Sequence, residues 1–520
     1  MRYDELVRKV YKDVLGILGT YINGSFVLRP EIPELAELFQ EVQKCLNNLN
    51  APIRVAIAGY VKAGKSTFLN ALLREKLTIT DGLEATLIPT WFQYGKEPGI
   101  TIHFKDGNSR QSTFEERSRW TAASGQQTDL SQVQYVSIEY PAEILRRIEF
   151  IDTPGLFSPA DTDASSRTVD FLGLESTNAQ QTALADAVLY AFSNNFSEED
   201  LNTVASFTST PINAVGIFTK PDIPYWDSLS PEVSPIDKIR EAVLPKLKNK
   251  LSAQVYDILP VTAKWLEGVL LLDQQDWELL RRLAASGEVR LRSRDRFVNR
   301  DVADSTREQR QALADKIELY GIYRLITLLR AEMQKPEDER LDEEGIMDYV
   351  VQESGIQTVE KVIIEHFGNR AFLVKSMAAI ERMKKAMNRA RYGASRDNEQ
   401  IRQVCNQVQS ELNKVLQNSF YLLHDWLRQF YEGRLSFGSE ENDRQFLYII
   451  GEYGNDYPTR LGLPVTAGIY DLNGAVQQRI QIWSALVEDF SLSFRAREAA
   501  RTVLDVLYEM AIKIQDLCAY

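Results

Sequence analysis

Residues 59–67 are Gly59-Tyr60-Val61-Lys62-Ala63-Gly64-Lys65-Ser66-Thr67, which has the spacing G-x-x-x-x-G-K-[ST] of a phosphate-binding loop. The β-branched apolar run at 53–58 predicts a buried strand before the loop, and the spacing at 67–73 predicts a helix after it. Glycines in the loop would let backbone N–H groups turn toward a polyphosphate, and the helix would add its positive dipole end. We therefore predict a polyphosphate site made of Gly59, Lys62, Ala63, Gly64, Lys65, Ser66 and Thr67.

Two side chains of this loop have distinct predicted roles. Lys65 would reach the β- and γ-phosphates as a point charge, and the Ser66 hydroxyl would ligate Mg²⁺. A second motif, D-x-x-G, ends the apolar run 148–152 and comprises Asp152 and Gly155. Asp152 would hold Mg²⁺ through a water, and the Gly155 N–H would contact the γ-phosphate. A purely structural Asp-Thr-Pro-Gly turn is the alternative.

A third motif, T-K-x-D, predicts which base is bound. Thr219, Lys220 and Asp222 follow the apolar run 214–218. A carboxylate at Asp222 can accept hydrogen bonds from both N1–H and N2–H₂ of guanine, whereas adenine offers one suitably placed donor. The stem of Lys220 would lie along the base. The motif therefore favours GTP over ATP.

A short triplet follows the next apolar run. Thr262, Ala263 and Lys264 would supply a backbone N–H to guanine O6, although a triplet this short also occurs without any role in binding. All of these motifs fall at the ends of predicted strands, where α/β sheets bind their ligands.

Composition limits the partners. A chain of 520 residues that is 44% hydrophobic is long enough for two or more cores. A formal net charge of −13 argues against nucleic acid as a partner. The three cysteines and three histidines are scattered, so no zinc site or disulfide framework is predicted. The sequence has no apolar signal-peptide region and no membrane-spanning run, and we expect a cytoplasmic protein.

The fold class follows from the hydrophobic periodicity. Strands alternating with helices over 51–272 predict an α/β P-loop domain with a mainly parallel sheet, with strands at 101–104, 133–140, 148–152, 187–191, 214–218 and 255–260. Two helices are predicted within 1–50, and 273–520 is predicted to be mostly helical, with helices at 304–334, 343–391, 397–433 and 477–520. The N-terminal helices need an apolar partner, so we predict that they join the C-terminal region in an extended α-helical bundle.

Taken together, these residues resemble the dynamin superfamily of large GTPases, and more closely its bacterial dynamin-like members. Thr219 stands where small GTPases usually have Asn, and apolar Leu156 stands where they have a water-orienting Gln. Residues 85–90 are similar to the dynamin switch I sequence, which implies that Thr86 is a second Mg²⁺ ligand, with Thr90 as the competing position. The resemblance covers 51–272 specifically and implies that the later helices form a neck and trunk.

The resemblance also implies an activity. The protein would hydrolyse GTP to GDP and phosphate with Mg²⁺, its GTPase domains would dimerise across the nucleotide, and the helical bundle would move to bend, tether or fuse membranes. Lys62 occupies the loop position where dynamins have Ser beside a monovalent cation and guanylate-binding proteins have an arginine finger. Lys62 is therefore a candidate catalytic residue beside Lys65 and Thr86, with a solvated loop lysine as the alternative.

The same resemblance suggests where a membrane would bind. Residues 435–474 interrupt the helical pattern with glycines and aromatics, in the place where dynamin-like proteins carry a membrane-binding paddle. This implies a tip made of Phe437, Phe446, Tyr448 and Tyr453, peripheral at the inner membrane face and binding anionic lipids. An ordered loop packed on its own bundle is the alternative. A second dynamin-like chain is a further candidate partner.

Two other functions remain open from the sequence. One is a GTP-dependent switch or scaffold that binds protein partners and never contacts lipid. The other is an Era-like or septin-like GTPase with an unrelated helical appendage.

Overall fold

The computed structural model describes residues 3–49, 51–60, 62–78, 88–121, 130–153, 185–193, 213–224, 233–251, 255–286, 291, 293–299, 305–368, 371–392, 398–431, 433–454 and 456–518. The chain forms two compact units. We call the first the sheet unit, which comprises Pro52–Ser209 and Asn213–Gly368. The second, the helical unit, comprises Met1–Ala51, Thr210–Ile212 and Asn369–Tyr520.

The strands and helices of the described residues are as follows. The strands are β1 Gly19–Ile22, β2 Ser25–Leu28, β3 Ile53–Ala58, β4 Thr90–Tyr94, β5 Gly99–Phe104, β6 Ser109–Ser112, β7 Val133–Tyr140, β8 Ile148–Asp152, β9 Ala187–Phe192, β10 Ala214–Phe218 and β11 Asp257–Pro260. The α-helices are α1 Tyr3–Leu18, α2 Ala36–Asn48, α3 Lys65–Leu73, α4 Arg117–Thr121, α5 Pro235–Lys238, α6 Leu244–Leu251, α7 Ala263–Val269, α8 Gln274–Ala285, α9 Arg294–Asn299, α10 Arg307–Met333, α11 Glu343–Glu353, α12 Ile356–Val362, α13 Ala371–Tyr392, α14 Glu399–Leu416, α15 Ser419–Tyr431, α16 Glu440–Ile449, α17 Tyr457–Arg460, α18 Ile469–Glu488 and α19 Phe494–Cys518. Two π-helical segments, Ile239–Val243 and Ile363–Gly368, follow α5 and α12.

The sheet unit is built on a nine-stranded sheet in the order β11-β10-β9-β3-β8-β4-β7-β5-β6. Strand β3 lies between β8 and β9 and is parallel to both, and β9, β10 and β11 are parallel to one another. Strands β9 and β10 are buried along their whole length, as expected for parallel strands covered on both faces. The predicted mainly parallel sheet is confirmed, and its carboxyl edge collects the loops that follow β3, β8, β10 and β11.

Two strands of the nine-stranded sheet were not predicted, nor were the hairpin strands β1 and β2. Strand β4 pairs with β8 antiparallel and with β7 parallel, and β6 is a polar edge strand that pairs with β5. Neither sequence alternates between apolar and polar residues over enough positions to indicate a strand.

The sheet unit extends past the predicted boundary at 272 and reaches Gly368. Helix α10 crosses α7 so closely that a Cβ at Gly268 would lie 2.0 Å from the Lys316 carbonyl oxygen. A Cβ at Gly321 would lie 2.4 Å from the Trp265 ring. Two glycines at one helix crossing therefore keep α10 on this unit, a tertiary effect that the periodicity of α10 does not reveal.

The first core of the helical unit joins the two ends of the chain. Helices α1 and α2 pack on α13 and α14 around one apolar cluster, which confirms that the N-terminal helices join the C-terminal bundle. Polar contacts support this packing, since Tyr11 donates to the Ser376 carbonyl oxygen at 3.3 Å. Lys375 donates to the carbonyl oxygens of Asn48 (2.9 Å) and Ala51 (2.5 Å) at the end of α2.

The second core of the helical unit corrects the predicted membrane tip. Phe437 and Phe446 are buried, with ring centroids 5.0 Å apart, and the Phe437 ring lies 4.8 Å from that of Trp483. These two residues belong to the core formed by α15, α16, α18 and α19, so the prediction that they contact a membrane is wrong. Tyr448 packs on the half-exposed Tyr453 at 4.6 Å.

The most exposed apolar side chains of the predicted tip lie later in the segment. Val465 and Tyr470 are 76% and 87% exposed, and residues 461–470 contain no charged residue. Phe490, which lies between α18 and α19, and Phe494, the first residue of α19, are also exposed. No helix in the described part of the chain is long and apolar enough to span a membrane.

Candidate functional site

The phosphate-binding loop has a backbone that only its glycines permit. Gly59 has φ of 148°, and a Cβ there would lie 2.2 Å from the Ala191 carbonyl oxygen. Gly64 has φ of 85° and stands immediately before α3, where a Cβ would lie 3.3 Å from the Thr219 side chain. The loop therefore turns tightly between β3 and α3, as its sequence predicts.

Lys65 is held inside the loop. Its side chain is buried, and Nζ donates to the carbonyl oxygens of Gly59 at 3.0 Å and Tyr60 at 3.1 Å. Burial lowers the pKa of Lys65 to about 8, although the negative charge of Asp152 opposes this shift. A buried ammonium at the start of a helix is suited to the charge of a polyphosphate.

Ser66 and Asp152 meet across two parallel strands. Asp152 ends β8 and is fully buried, in register with Ile57 of β3. Ser66 Oγ donates to Asp152 Oδ2 at 2.8 Å. A hydroxyl and a carboxylate at the phosphate-binding loop fit Mg²⁺, which is held by hard oxygen ligands, one or two carboxylates and the phosphates of its substrate. Among the described residues no group of three or more His, Cys, Asp and Glu side chains could hold a metal ion, so no all-protein metal cage is present there.

The two candidates for the second Mg²⁺ ligand are placed differently. Thr90 is the first residue of β4, is buried opposite Asp152, and donates its hydroxyl to the Ile88 carbonyl oxygen at 3.1 Å. Thr86 lies outside the described residues, as does Gly155. Thr86 therefore stays a prediction. Thr67 is partly buried on α3.

Two residues of the T-K-x-D motif, Thr219 and Lys220, contact carbonyl oxygens of the phosphate-binding loop. Thr219 Oγ1 lies 2.5 Å from the Ala63 carbonyl oxygen and 3.1 Å from that of Phe192. Lys220 Nζ donates to the Lys62 carbonyl oxygen at 2.8 Å, and burial lowers the pKa of Lys220. The predicted base-binding and phosphate-binding residues are thus joined directly.

Asp222 has an unusual electrostatic setting for a surface loop. Its carboxyl is buried, and burial raises the pKa of Asp222 to about 7. The negative charge of Glu318 raises that pKa further, and the positive charge of Lys220 lowers it. Glu318 lies within the bounds of α10, has a non-helical backbone (φ 55°, ψ 171°), and pairs with Arg294 at 3.2 Å. Nothing in the sequence near Asp222 indicates this remote carboxylate.

Ser354 and Glu267, which have no predicted role, fix the triplet after β11. Thr262 is fully buried, and its N–H donates to the Ser354 carbonyl oxygen at 3.0 Å. Ala263 begins α7, and Lys264 Nζ donates to Glu267 Oε2 at 3.3 Å. Lys264 and Glu267 are three residues apart on a helix, a spacing at which opposite charges pair, so the sequence does indicate this contact.

Lys62 has the geometry of an exposed loop residue. It has φ of 64°, and its side chain is exposed to solvent. The hydrogen bond from Lys220 to the Lys62 carbonyl oxygen fixes the backbone of Lys62 and leaves the Lys62 side chain outside the loop. This placement is compatible with the predicted finger and with a solvated lysine.

Comparisons with known proteins find similarity to dynamin-like proteins. Residues 55–206 match the Dynamin family. Isoniazid-induced protein IniC of Mycobacterium tuberculosis is 27% identical over 372 residues, which are 68% of this chain and 70% of that protein. Bacterial dynamin-like protein of Nostoc punctiforme is 33% identical over 159 residues, 28% of this chain and 22% of that protein. A solved structure of an oligomerised bacterial dynamin pair aligns with 99% of this chain and 75% of its own, at 14% identity, and its TM-score of 0.31 is too low to relate the two structures.

Proposed function

We propose that this chain is a bacterial dynamin-like GTPase, that it hydrolyses GTP with Mg²⁺, that its GTPase domains pair across the nucleotide, and that this cycle acts on membranes. The observation that carries the proposal is the convergence of Lys65, Ser66 and Asp152 on one loop, joined through Thr219 to the guanine motif.

Different residues of the site would have different roles in the reaction. Lys65 binds the β- and γ-phosphates, and Ser66 and Asp152 hold Mg²⁺. Mg²⁺ held there would supply positive charge to offset the negative charge that develops on the phosphate oxygens. Asp222, in its ionised form, accepts two hydrogen bonds from guanine, while Lys220 fixes both the base and the loop. Positioning and charge stabilisation are the contributions that phosphoryl transfer to water requires.

Lys62 supplies the proposed catalytic charge after pairing. Its exposed side chain and fixed backbone suit a group that becomes ordered only when a second GTPase domain covers the loop. A positive charge between the β- and γ-phosphates stabilises the transition state more than bound GTP. Pairing would therefore raise turnover. A monovalent cation at the same position is the alternative source of charge.

The membrane contact that we propose lies at residues 461–470. This stretch lacks charges and exposes Val465 and Tyr470, as a loop that enters the interfacial region of a bilayer would. The exposed pair Phe490 and Phe494 lies at the opposite end of α18, where Arg497 stacks over Phe490 at 4.7 Å. This second pair provides a matched control.

The test is GTP turnover measured against protein concentration, with vesicles of neutral lipid, with vesicles that also contain anionic lipid, and without vesicles. We expect specific activity to rise with concentration, to rise again on vesicles, and to vanish in Lys65→Ala. The double variant Val465→Ser/Tyr470→Ser should lose the vesicle response and keep the lipid-free turnover. Phe490→Ser/Phe494→Ser should keep both.

Two results would contradict parts of the proposal. Slow turnover that is independent of concentration and lipid would leave a GTPase that acts as a switch or scaffold. Loss of the vesicle response in the control pair alone would move the membrane contact to the other end of α18.

A further inference from the structure

A buried asparagine lies between the phosphate side and the guanine side of the site. Asn70 is on α3, one turn after Ser66, and is fully buried. Its Oδ1 accepts from the backbone N–H groups of Leu77 (3.0 Å) and Thr78 (2.8 Å). Its Nδ2 donates to the Thr78 carbonyl oxygen at 3.0 Å and to Glu267 Oε1 at 2.7 Å. Every hydrogen-bonding group of the amide is therefore used.

Glu267 connects this amide to the guanine side. It is buried on α7, and its two oxygens have different partners. Oε1 accepts from Asn70, and Oε2 accepts from Nζ of Lys264 at 3.3 Å. Lys264 belongs to the triplet predicted to contact guanine O6. One carboxylate therefore fixes a residue of each half of the nucleotide site.

Thr78 closes the network on the phosphate side. Its Oγ1 lies 3.0 Å from the Ser66 carbonyl oxygen and 2.9 Å from Asn70 Oδ1. Thr78 is thus attached to the residue that would ligate Mg²⁺. The chain runs on from Thr78 toward Thr86, the predicted second ligand.

We propose that Asn70 and Glu267 are positioning residues of the GTPase reaction. Asn70 places Thr78 against Ser66 and so sets the Mg²⁺ side of the site, and Glu267 places Lys264 and so sets the guanine side. This inference rests on the proposed Mg²⁺-dependent hydrolysis for its phosphate half only. Its guanine half can be tested on GDP binding alone.

The four hydrogen bonds of the Asn70 amide indicate a positioning role beyond core packing. An apolar side chain at position 70 would fill the same space but would remove the hydrogen-bond partner of the Thr78 N–H, the Thr78 carbonyl oxygen and Glu267 Oε1, while the Leu77 N–H would keep only the Glu75 carbonyl oxygen at 2.9 Å. The network uses a buried carboxylate and a buried amide to fix two segments, residues 77–78 and the start of α7, beside the same predicted nucleotide site. Displacing a metal ligand by as little as 1 Å is enough to lower turnover severely.

Two single variants separate the halves. Glu267→Gln keeps an acceptor for Asn70 but replaces the charged partner of Lys264. It should raise the dissociation constant for GDP roughly fivefold, and more than it lowers kcat. Asn70→Asp puts an oxygen opposite Glu267 Oε1 and the Thr78 carbonyl. It should lower kcat roughly tenfold or more and raise the Mg²⁺ concentration for half-maximal turnover, with a smaller change in GDP affinity measured without Mg²⁺.

The double variant Asn70→Asp/Glu267→Gln is the rescue. Rotated about its last torsion, the glutamine amide would donate to the new aspartate and present its oxygen to Lys264. We expect it to recover part of the kcat lost in Asn70→Asp. Glu332→Gln is the matched control, because Glu332 is also a buried carboxylate paired with a lysine three residues on, at 2.8 Å. It should change neither GDP affinity nor the Mg²⁺ dependence.

The measurements are GDP binding by fluorescence titration with and without Mg²⁺, steady-state kinetics across Mg²⁺ concentrations, and the thermal midpoint of each variant. The inference is overturned if both single variants lower GDP affinity and kcat in parallel with the thermal midpoint, since that pattern describes a structural core. If the wild type hydrolyses GTP without Mg²⁺ dependence, the proposed mechanism fails. The GDP affinities of Glu267→Gln and Glu332→Gln then still decide the guanine half.

Discussion

The protonation of Asp222 should make nucleotide affinity depend on pH in the physiological range. The pKa of Asp222 is raised to about 7, mainly by burial. Only the ionised carboxylate accepts both guanine N–H groups, so the binding-competent fraction falls as pH falls through 7. Between pH 8 and pH 6 that fraction decreases roughly tenfold, and the apparent dissociation constant for GDP should rise by the same factor, about 1.4 kcal/mol.

The assay is isothermal titration of GDP from pH 5.5 to pH 8 at constant ionic strength. The phosphates of GDP also titrate in this range, so the wild type must be compared with Asp222→Asn, which binds the same phosphates with a side chain that does not titrate. The ratio of the two dissociation constants isolates Asp222. Asp222→Asn should bind GDP more weakly than the wild type at pH 8. The pH dependence of its dissociation constant should lack the contribution of a titrating group at position 222.

A second variant tests the cause of the shift. Glu318 adds a negative charge near Asp222 and raises its pKa, so Glu318→Gln should move the midpoint of the affinity curve to lower pH. A ratio of dissociation constants that stays constant from pH 6 to pH 8 would refute the reasoning, because it would show that Asp222 remains ionised throughout.

Four further predictions follow from single sites. Gly59→Ala should abolish nucleotide binding, because its Cβ would lie 2.2 Å from the Ala191 carbonyl oxygen; a variant that binds GDP normally by titration would contradict the loop geometry. Affinity for GDP should fall again above about pH 8 as Lys65 loses its proton, and Lys65→Arg should flatten that limb of the curve. Lys62→Ala should lower concentration-stimulated turnover much more than GTP affinity, and equal losses in both would argue for a solvated lysine. Phe446→Ala should reduce the free energy of unfolding by about 3–5 kcal/mol in chemical denaturation, whereas an unchanged midpoint would argue against its core position.

The sequence predicted most of the sheet, and the structure brings Lys65, Ser66, Asp152 and Thr219 together as the motifs indicate. The strand, glycine loop and helix around Lys65 are adjacent in the chain, and their conformations depend on short-range sterics and periodicity. The strand at 214–218 occurs as predicted because a buried parallel strand is a continuous apolar run. The strands at 133–140 and 148–152 also occur as predicted, although each includes polar residues. The roles assigned to Lys62, Thr86 and Gly155 stay predictions.

Only the tertiary structure shows which residues, distant in the sequence, contact or perturb the predicted nucleotide-binding residues. Glu267, Asn70 and Glu318 lie on three different helices. The i, i+3 spacing indicates the contact of Glu267 with Lys264, but no local pattern predicts that Asn70 reaches Glu267 or that Glu318 acts on Asp222.

The burial of aromatic residues was decided in the same way. The segment containing Phe437 and Tyr470 is rich in aromatics throughout, yet Phe437 packs on Trp483 and Tyr470 faces solvent. Composition gives the hydrophobicity of a segment, whereas the side of it that is buried depends on the core that it forms with α15, α18 and α19. The sequence by itself therefore determined the nucleotide chemistry, whose groups are neighbours in the chain or lie at strand ends. Long-range packing determined the electrostatic setting of Asp222 and the surface left for a partner, because both depend on helices far away in the sequence.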